Sequence, residues 1–312
     1  MELQQLRYVL AVAETNSFTR AAQRCLVVQS ALSHQIARLE RELGARLFER
    51  TSRQVRLTPA GAAFLPAARQ CVDAAERAAA EVAAAVGEVR GRLAVGLIPT
   101  VAAVDIPARL REFRRRYPYV RVGLRVGASG ELVEQVRQGL LDVAFLGLPA
   151  TARPRGVEAH ELARDRLVAV VAPDHPLADE PAVDLHRLAA ETFVDFPAGS
   201  AGRAQTDQAF SAAGLARDVA FEVTAAADLM ARLVAEGLGV AMLPSAYVPQ
   251  LTGVTTIEVV DAPARVEYLV WNGLGRTPAV NAFLAVLGVA TGPGPQRPGP
   301  ERPGPGGLPS GA

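Results

Sequence analysis

Leu32, Ile36, Leu39 and Leu43 recur at spacings of four, three and four residues, and Gly44 follows at once. That period is the apolar stripe of one helix face, and a glycine just past it supplies the left-handed residue on which helices stop. So short a helix buries its stripe only against neighbours, and two precede it. Leu3, Leu6, Leu10 and Ala13 share one face. After a break at Asn16, Ser17 is a fit N-cap for a shorter helix carrying Ala21, Ala22 and Cys25. The spacing predicts a helix-turn-helix unit whose third member, Gln29 to Leu43, turns Gln29, Ser30, Ser33, His34 and Ala37 outward.

Charge agrees with a nucleic-acid contact at this end. Residues 1–60 hold nine Arg and five Glu, a net of +4, whereas the remainder holds 24 Arg and 27 acids, a net of −3. The whole chain, 33 basic against 32 acidic, is neither a uniformly basic coat protein nor a disordered chain. All 33 basic residues are Arg, which reads as coding bias and lowers the information carried by any one of them. Gln pairs bidentately with adenine in the major groove, and Ser serves donor or acceptor edges, so the outward face of the third helix has the chemistry of base reading. The same residues also suit a solvated polar face.

Leu47 to Thr58 turns strand-like around polar Thr51, Ser52 and Arg53, as in a hairpin or wing. Thr58 and Pro59 then open a long helix. Leu65, Ala68, Val72, Ala75, Ala79, Val82 and Val86 alternate spacings of three and four along it, the seam expected of a paired dimerisation helix, with Pro66 a point of kink or restart. Beyond Arg92, short apolar runs alternate with helical stretches, the pattern of βαβ units. Strands are expected at 93–97, 120–126, 143–146, 166–172, 192–196, 219–223, 240–243 and 266–271, forming two linked α/β lobes. From Thr291, 14 of 22 residues are Gly or Pro, and a disordered tail is expected over 291–312.

The stretch TNSFTRAAQRCLVVQSALSHQIARLERELGARLFERTSRQVRLTPAG resembles the N-terminal region of LysR-type transcriptional regulators. Ser17, Phe18, Ala21, Ala22, Gln29, Ser33, Ile36, Leu39, Glu40, Leu43, Gly44, Phe48, Arg50, Thr58 and Gly61 stand where that family has them, and a looser likeness continues to about Val289. The resemblance implies an all-α winged helix-turn-helix domain (1–58), a linker and dimerisation helix (59–88), and an α/β effector-binding domain (91–290) folded like a periplasmic solute-binding protein of type 2. Its lobes would comprise residues 91–161 with 266–290, and residues 162–265. Gln29, Ser30, Ser33 and His34 would then face bases, and Arg50 and Arg53 of the wing would meet phosphates. Two positions depart from the family. Val28 replaces the usual Ser or Thr cap of the reading helix, and His34 stands where Arg or Lys is common.

Within the effector region, Thr100, Ser129 and Ser200 each follow a strand and precede a helical stretch. Each alone reads as a helix cap; three hydroxyl-bearing N-termini facing one cleft would bind a small anion such as a carboxylate, with Arg203 a further candidate for charge neutralisation. Gly237 and Gly239 read as backbone turns. His160, His175 and His186 fall on separate loops without ligand spacing, and Cys25 and Cys71 are too few for a disulfide framework or zinc site. No metal and no cofactor is expected.

These observations point to a cytoplasmic, non-enzymatic regulator without a signal peptide or membrane span. Its expected partners are double-stranded DNA, a small-molecule effector, RNA polymerase at the promoter, and further copies of itself in a homodimer or homotetramer. Two alternatives remain open at this level: a solute-binding or catalytic α/β protein with an N-terminal dimerisation module, and a DNA-binding protein whose lobes serve only oligomerisation.

Overall fold

A computed structural model describes residues 1–50, 54–273 and 276–289. Helices α1 (Leu3–Thr15), α2 (Phe18–Arg24) and α3 (Gln29–Leu43) pack around Leu6, Val9, Val12, Ala21, Leu32, Ile36 and Leu39, all buried. Ser17 caps α2 by accepting the Arg20 N–H at 3.3 Å, as its position in the sequence predicts. Strands β1 (Phe48–Arg50) and β2 (Val55–Leu57) pair antiparallel, with Phe48 opposite Leu57. Phe48 drops into the three-helix core edge-on to Phe18, 5.8 Å between ring centroids.

Helix α4 (Pro59–Ala85) starts at Thr58, whose hydroxyl accepts the Gly61 N–H at 2.9 Å and donates to the Arg46 carbonyl at 2.6 Å. A Cβ on Gly61 would lie 2.1 Å from the Leu47 carbonyl oxygen, so only glycine lets α4 approach the wing this closely. The helix runs through Pro66 as one element. Pro66 is exposed, as is Ala62, whose carbonyl it leaves without its helical N–H partner. The expected seam divides. Leu65, Ala68 and Val72 pack into the N-terminal core against α1, while Val82 and Val86 are exposed. One stripe thus serves the domain first and leaves only its last turns free.

The remaining chain forms β3 (Arg90–Leu97), α5 (Ile106–Arg116), β4 (Tyr119–Val126), α6 (Ser129–Arg137), β5 (Val143–Pro149), β6 (Glu158–Val171), β7 (Ala182–Val183), α7 (Leu185–Leu188), β8 (Thr192–Asp195), α8 (Ala201–Ala212), β9 (Asp218–Glu222), α9 (Ala227–Ala235), β10 (Ala241–Pro244), a 3-10 turn (Ser245–Gln250), β11 (Thr255–Val259), β12 (Ala264–Trp271) and α10 (Pro278–Val286). In the first lobe β3 pairs parallel with both β4 and β5, and β12 closes antiparallel on β5. One face of this sheet is covered by α5 and α10 through Phe113 and Phe283, the other by α6 through Leu132 and Val136. In the second lobe β10 and β11 flank the end of β6, and β8 with β9 continues the layer.

Strand β6 belongs to both lobes. Its first half pairs with β12 and its second with β10 and β11, so β6 outward and β12 on return carry the chain between them. The strand begins eight residues before its expected start because Glu158 to Asp165 is polar and largely exposed, without the apolar run that marks a buried strand. Strands β7 and β11 are not among those expected: β7 has only two residues, and β11, Thr-Thr-Ile-Glu-Val, lacks a continuous apolar run. The tail over 291–312 lies outside the described residues.

Candidate functional site

The sequence holds α3 in place from three sides. Leu32, Ile36 and Leu39 of its stripe are buried, whereas Leu43 in its last turn, expected on the same face, is 39% exposed because the helix end passes beyond its neighbours; the buried Gln5 of α1 donates to Gln35 Oε1 at 3.2 Å. At its far end Glu40 Oε1 accepts the backbone N–H groups of Leu47 (2.8 Å) and Phe48 (3.2 Å), tying the helix to the wing. A helix anchored along its length presents its opposite edge rigidly, and that edge carries the expected residues: Gln29, Ser30 and His34 are exposed and Ser33 is half-buried. Val28 occupies the N-cap with no side-chain capping bond, leaving the N–H groups of the first turn open toward solvent. Leu26, exposed with φ of 57°, makes the tight turn between α2 and α3. Arg50 ends β1; Arg53 lies outside the described residues.

A cavity of about 380 Å³ separates the two lobes. Ile98, Thr100, Val126, Ser129 and Gly147 line it from the first lobe; Leu167, Phe196, Ser200, Gln205 and Met242 line it from the second. Thr100, Ser129 and Ser200 therefore do meet at one cleft, but only Ser200 caps a helix, accepting the Arg203 N–H at 3.3 Å. Ser129 is the first residue of α6, and its hydroxyl donates to the Gly147 carbonyl (3.0 Å) and accepts the Gly147 N–H (3.1 Å). Thr100 precedes no helix directly. Asp105 caps α5 instead, and Thr100 Oγ1 accepts from Arg265 Nη1 at 3.1 Å. Helix α6 has no side-chain cap, so the N–H groups of its first turn open at the cleft with the positive end of its dipole.

Arg203 does not reach the cavity. Its guanidinium is drawn to Asp207 (3.0 Å), Glu222 (3.3 Å) and the Phe196 carbonyl (3.2 Å). These partners neutralise it away from the cavity lining. Burial works to raise the Asp207 carboxyl, but hydrogen bonds from Arg217 and Arg203 outweigh it and hold that group below the usual range. Arg217 lies against the rings of both Phe193 and Phe210, 4.9 and 5.2 Å from their centroids, and pairs with Asp195 at 2.7 Å. This network fixes the N-terminal end of α8.

The cation in the cleft wall is Arg265, 3% exposed, on β12 where the chain crosses between lobes. Its Nη2 pairs with Glu267 Oε1 at 3.1 Å, and Glu267 also accepts the backbone N–H groups of Ala102 and Ala103. Burial lowers the guanidinium's proton affinity, and Glu267 and Asp165 oppose that shift. A Cβ on Gly147 would lie 2.4 Å from Arg265 Nη2, so the guanidinium lies directly against the β5 backbone. Sequence reasoning missed this residue, although the alternation Arg265-Val266-Glu267 inside an apolar strand placed both charges on one face. Ala225, also in the wall, holds a left-handed φ of 53°.

A wider groove of about 890 Å³ lies between α4 and the first lobe. Asp73 of α4 and Asp142 of the lobe line it, and burial is the main cause pushing both carboxyls up. Asp142 accepts the Ala94 N–H at 2.7 Å. Among the described residues no group of three His, Cys, Asp or Glu could hold a metal ion, and no helix is long and apolar enough to cross a membrane.

A winged helix-turn-helix followed by a linker helix and a two-lobed α/β domain with a cleft defines a class: DNA-binding regulators that carry an effector-binding domain. Residues 3–62 match the bacterial regulatory helix-turn-helix protein model of the lysR family, and residues 87–290 match the LysR substrate binding domain. The chain belongs to the LysR family of transcriptional regulators. It is 34% identical over 259 residues to the transcriptional dual regulator GltC of Bacillus subtilis (strain 168), covering 83% of this chain and 86% of that protein. Among solved structures it is similar to a full-length single-residue variant of OxyR from Pseudomonas aeruginosa (TM-score 0.71, 25% identity, 93% of this chain and 94% of the other). It is also similar to full-length CbnR complexed with its target DNA (TM-score 0.67, 27% identity, 92% and 98%). The chain is accordingly a DNA-binding regulator and not an enzyme, which removes the solute-binding or catalytic alternative.

Proposed function

We propose that two copies of this chain read the halves of an interrupted palindromic promoter site through Gln29, Ser30, Ser33 and His34. In this reading Arg50 and Arg53 hold phosphates, and a small anion in the interlobe cleft alters what RNA polymerase encounters there. The exposed polar edge of an α3 buried along its other face carries the DNA half of this reading. The exposed Val82 of α4 and Val86 at its C-cap offer apolar surface to a second copy, and a twofold dimer matches a palindrome. The uncapped first turn of α6 beside Arg265 supports an anion in the cleft. Residues 87–290 contain no cysteine, so a thiol switch is not open to the effector region.

Fluorescence anisotropy on DNA from the chain's own upstream region tests the DNA half. Gln29→Ala is expected to cost about 1–3 kcal/mol on the specific site and leave random DNA unaffected. Arg50→Ala is expected to weaken binding to all sequences and reduce the salt slope by about 0.9. An unchanged ratio of specific to random binding in Gln29→Ala would remove α3 from the reading surface. Thermal shift with small carboxylates tests the cleft: Thr100→Val and Ser129→Ala are expected to reduce the shift without reducing ligand-free DNA affinity.

A further inference from the structure

Gln205 lies in the second turn of α8, lines the interlobe cavity and is 4% exposed. Its amide oxygen is buried with no donor, and among the described residues neither end of the amide forms a hydrogen bond. In the same cavity wall, the buried Arg265 has an unpartnered Nε as well. Ile98, Leu167, Phe196 and Met242 contribute apolar wall to the same cavity. An amide buried without a partner costs about 1–3 kcal/mol, and a leucine or methionine in the same place would cost nothing of the kind. The terminal torsion of glutamine is broad, so its amide can turn toward a partner that arrives in the cavity.

We infer that the ligand is a compact monocarboxylate bearing a neutral hydroxyl or carboxamide, with Gln205 as the residue that recognises this second group. The inference rests on the anion reading above, in which the carboxylate meets the open N–H groups of α6 and the Arg265 side. Charge decides that the second group is neutral. Glu267 already pairs with Arg265 at 3.1 Å, and Glu131 stands in the cavity wall, so once one carboxylate has taken the N–H groups of α6 a second would find no free cation among the described lining residues. Size agrees, since about 380 Å³ lies at the low end of small-molecule sites.

The full-length protein is titrated calorimetrically with matched acids on two frames. The first frame is butyrate, 4-hydroxybutyrate, succinamate and succinate. The second is benzoate, its 3- and 4-hydroxy derivatives, and terephthalate. In at least one frame the hydroxy or carbamoyl acid is expected to bind roughly 5- to 150-fold tighter than both the parent acid and the diacid. Gln205→Met is expected to erase that ratio and to raise the melting temperature of the ligand-free protein, because it removes an unpaired buried amide. Parent and polar acids binding alike, a preference that survives Gln205→Met, or a lowered melting temperature in the variant overturns the inference while leaving the anion reading standing. If no acid on either frame binds, the anion reading falls and this inference with it.

Discussion

Replacing Arg265 with methionine tests whether the cleft is organised around a buried ion pair. The side chains of Arg265 and Glu267 are 3% and 4% exposed and meet at 3.1 Å. Removing the cation leaves Glu267 charged in the interior with only the Ala102 and Ala103 N–H groups to hold it. Breaking such a pair costs about 3–5 kcal/mol, and the two retained amide bonds place this case near 3 kcal/mol. Glu267→Gln, which keeps an acceptor for those amides but strands the guanidinium, is expected to cost a similar amount. The double variant strands neither charge, so its loss should fall well below the sum of about 6 kcal/mol and not exceed about 3 kcal/mol, a coupling of at least about 3 kcal/mol.

Urea unfolding followed through Trp271 measures this, because it is the single tryptophan of the chain and lies buried on the same strand. In a domain of this size, about 3 kcal/mol also corresponds to roughly 6–12 °C in melting temperature. If the single losses add in the double variant to within about 0.5 kcal/mol, Arg265 and Glu267 are independent and the ion-pair account of the cleft is wrong.

Three further outcomes follow from the same geometry. Gly147→Ala places a methyl 2.4 Å from Arg265 Nη2 and should destabilise by about 1–3 kcal/mol while abolishing carboxylate-induced thermal shifts; an unaltered melting curve would refute the close approach. Val28→Ser supplies the missing cap of α3 and should stabilise the N-terminal domain by about 1 kcal/mol in circular-dichroism melts, and no gain would mean the first turn is already satisfied. Because burial raises the Asp142 carboxyl in the native state, folding takes up protons there, and that group's penalty at neutral pH fades as pH falls toward 3.8. Asp142→Asn, which keeps an acceptor for the Ala94 N–H, should therefore gain over the parent at pH 7, with the gain shrinking by pH 4; a pH-independent difference in urea midpoints would contradict this.

What the sequence revealed and concealed divides along physical lines. The stripe of α3 was legible because one element buries one face, and a spacing of four, three and four has no other simple cause. Ser17 and Thr58 were legible because caps act over three residues. The seam of α4 was read as continuous because periodicity reports burial without naming the partner, and α1 takes its first half. Arg203 was a candidate and Arg265 was missed because the fate of a charge depends on contacts across the fold. A local clue existed for Arg203, since Asp207 lies four residues on along the same helix. Nothing local brings Thr100 to Arg265, 165 residues away. The empty hydrogen bonds of Gln205 are likewise a property of assembled walls and have no sequence signature.

How a ligand in the cleft would reach the DNA follows from which lobe the linker grips. Helix α4 packs on α1 and β2 at one end and on β3 and α10 at the other, so the N-terminal domain and the first lobe are joined through it. The second lobe is carried on β6 and β12, the strands that cross between lobes. At the crossing, Arg265 and Asp165 are register partners with opposite attachments. Arg265 bonds to Thr100 in the first lobe, whereas Asp165 accepts from Ser245 and Ala246 in the second, at 2.5 and 3.0 Å. A ligand held by α6 from one lobe and Gln205 from the other satisfies both only when the lobes close, and that differential affinity alone can shift their equilibrium. Closure would then swing the second lobe relative to α4 and leave α3 and its own linker undisturbed. Within one chain the reading helix would not register the ligand. The signal must pass through whatever the second lobe touches in another copy, so a variant held monomeric should still bind ligand yet show no ligand-dependent change in DNA affinity.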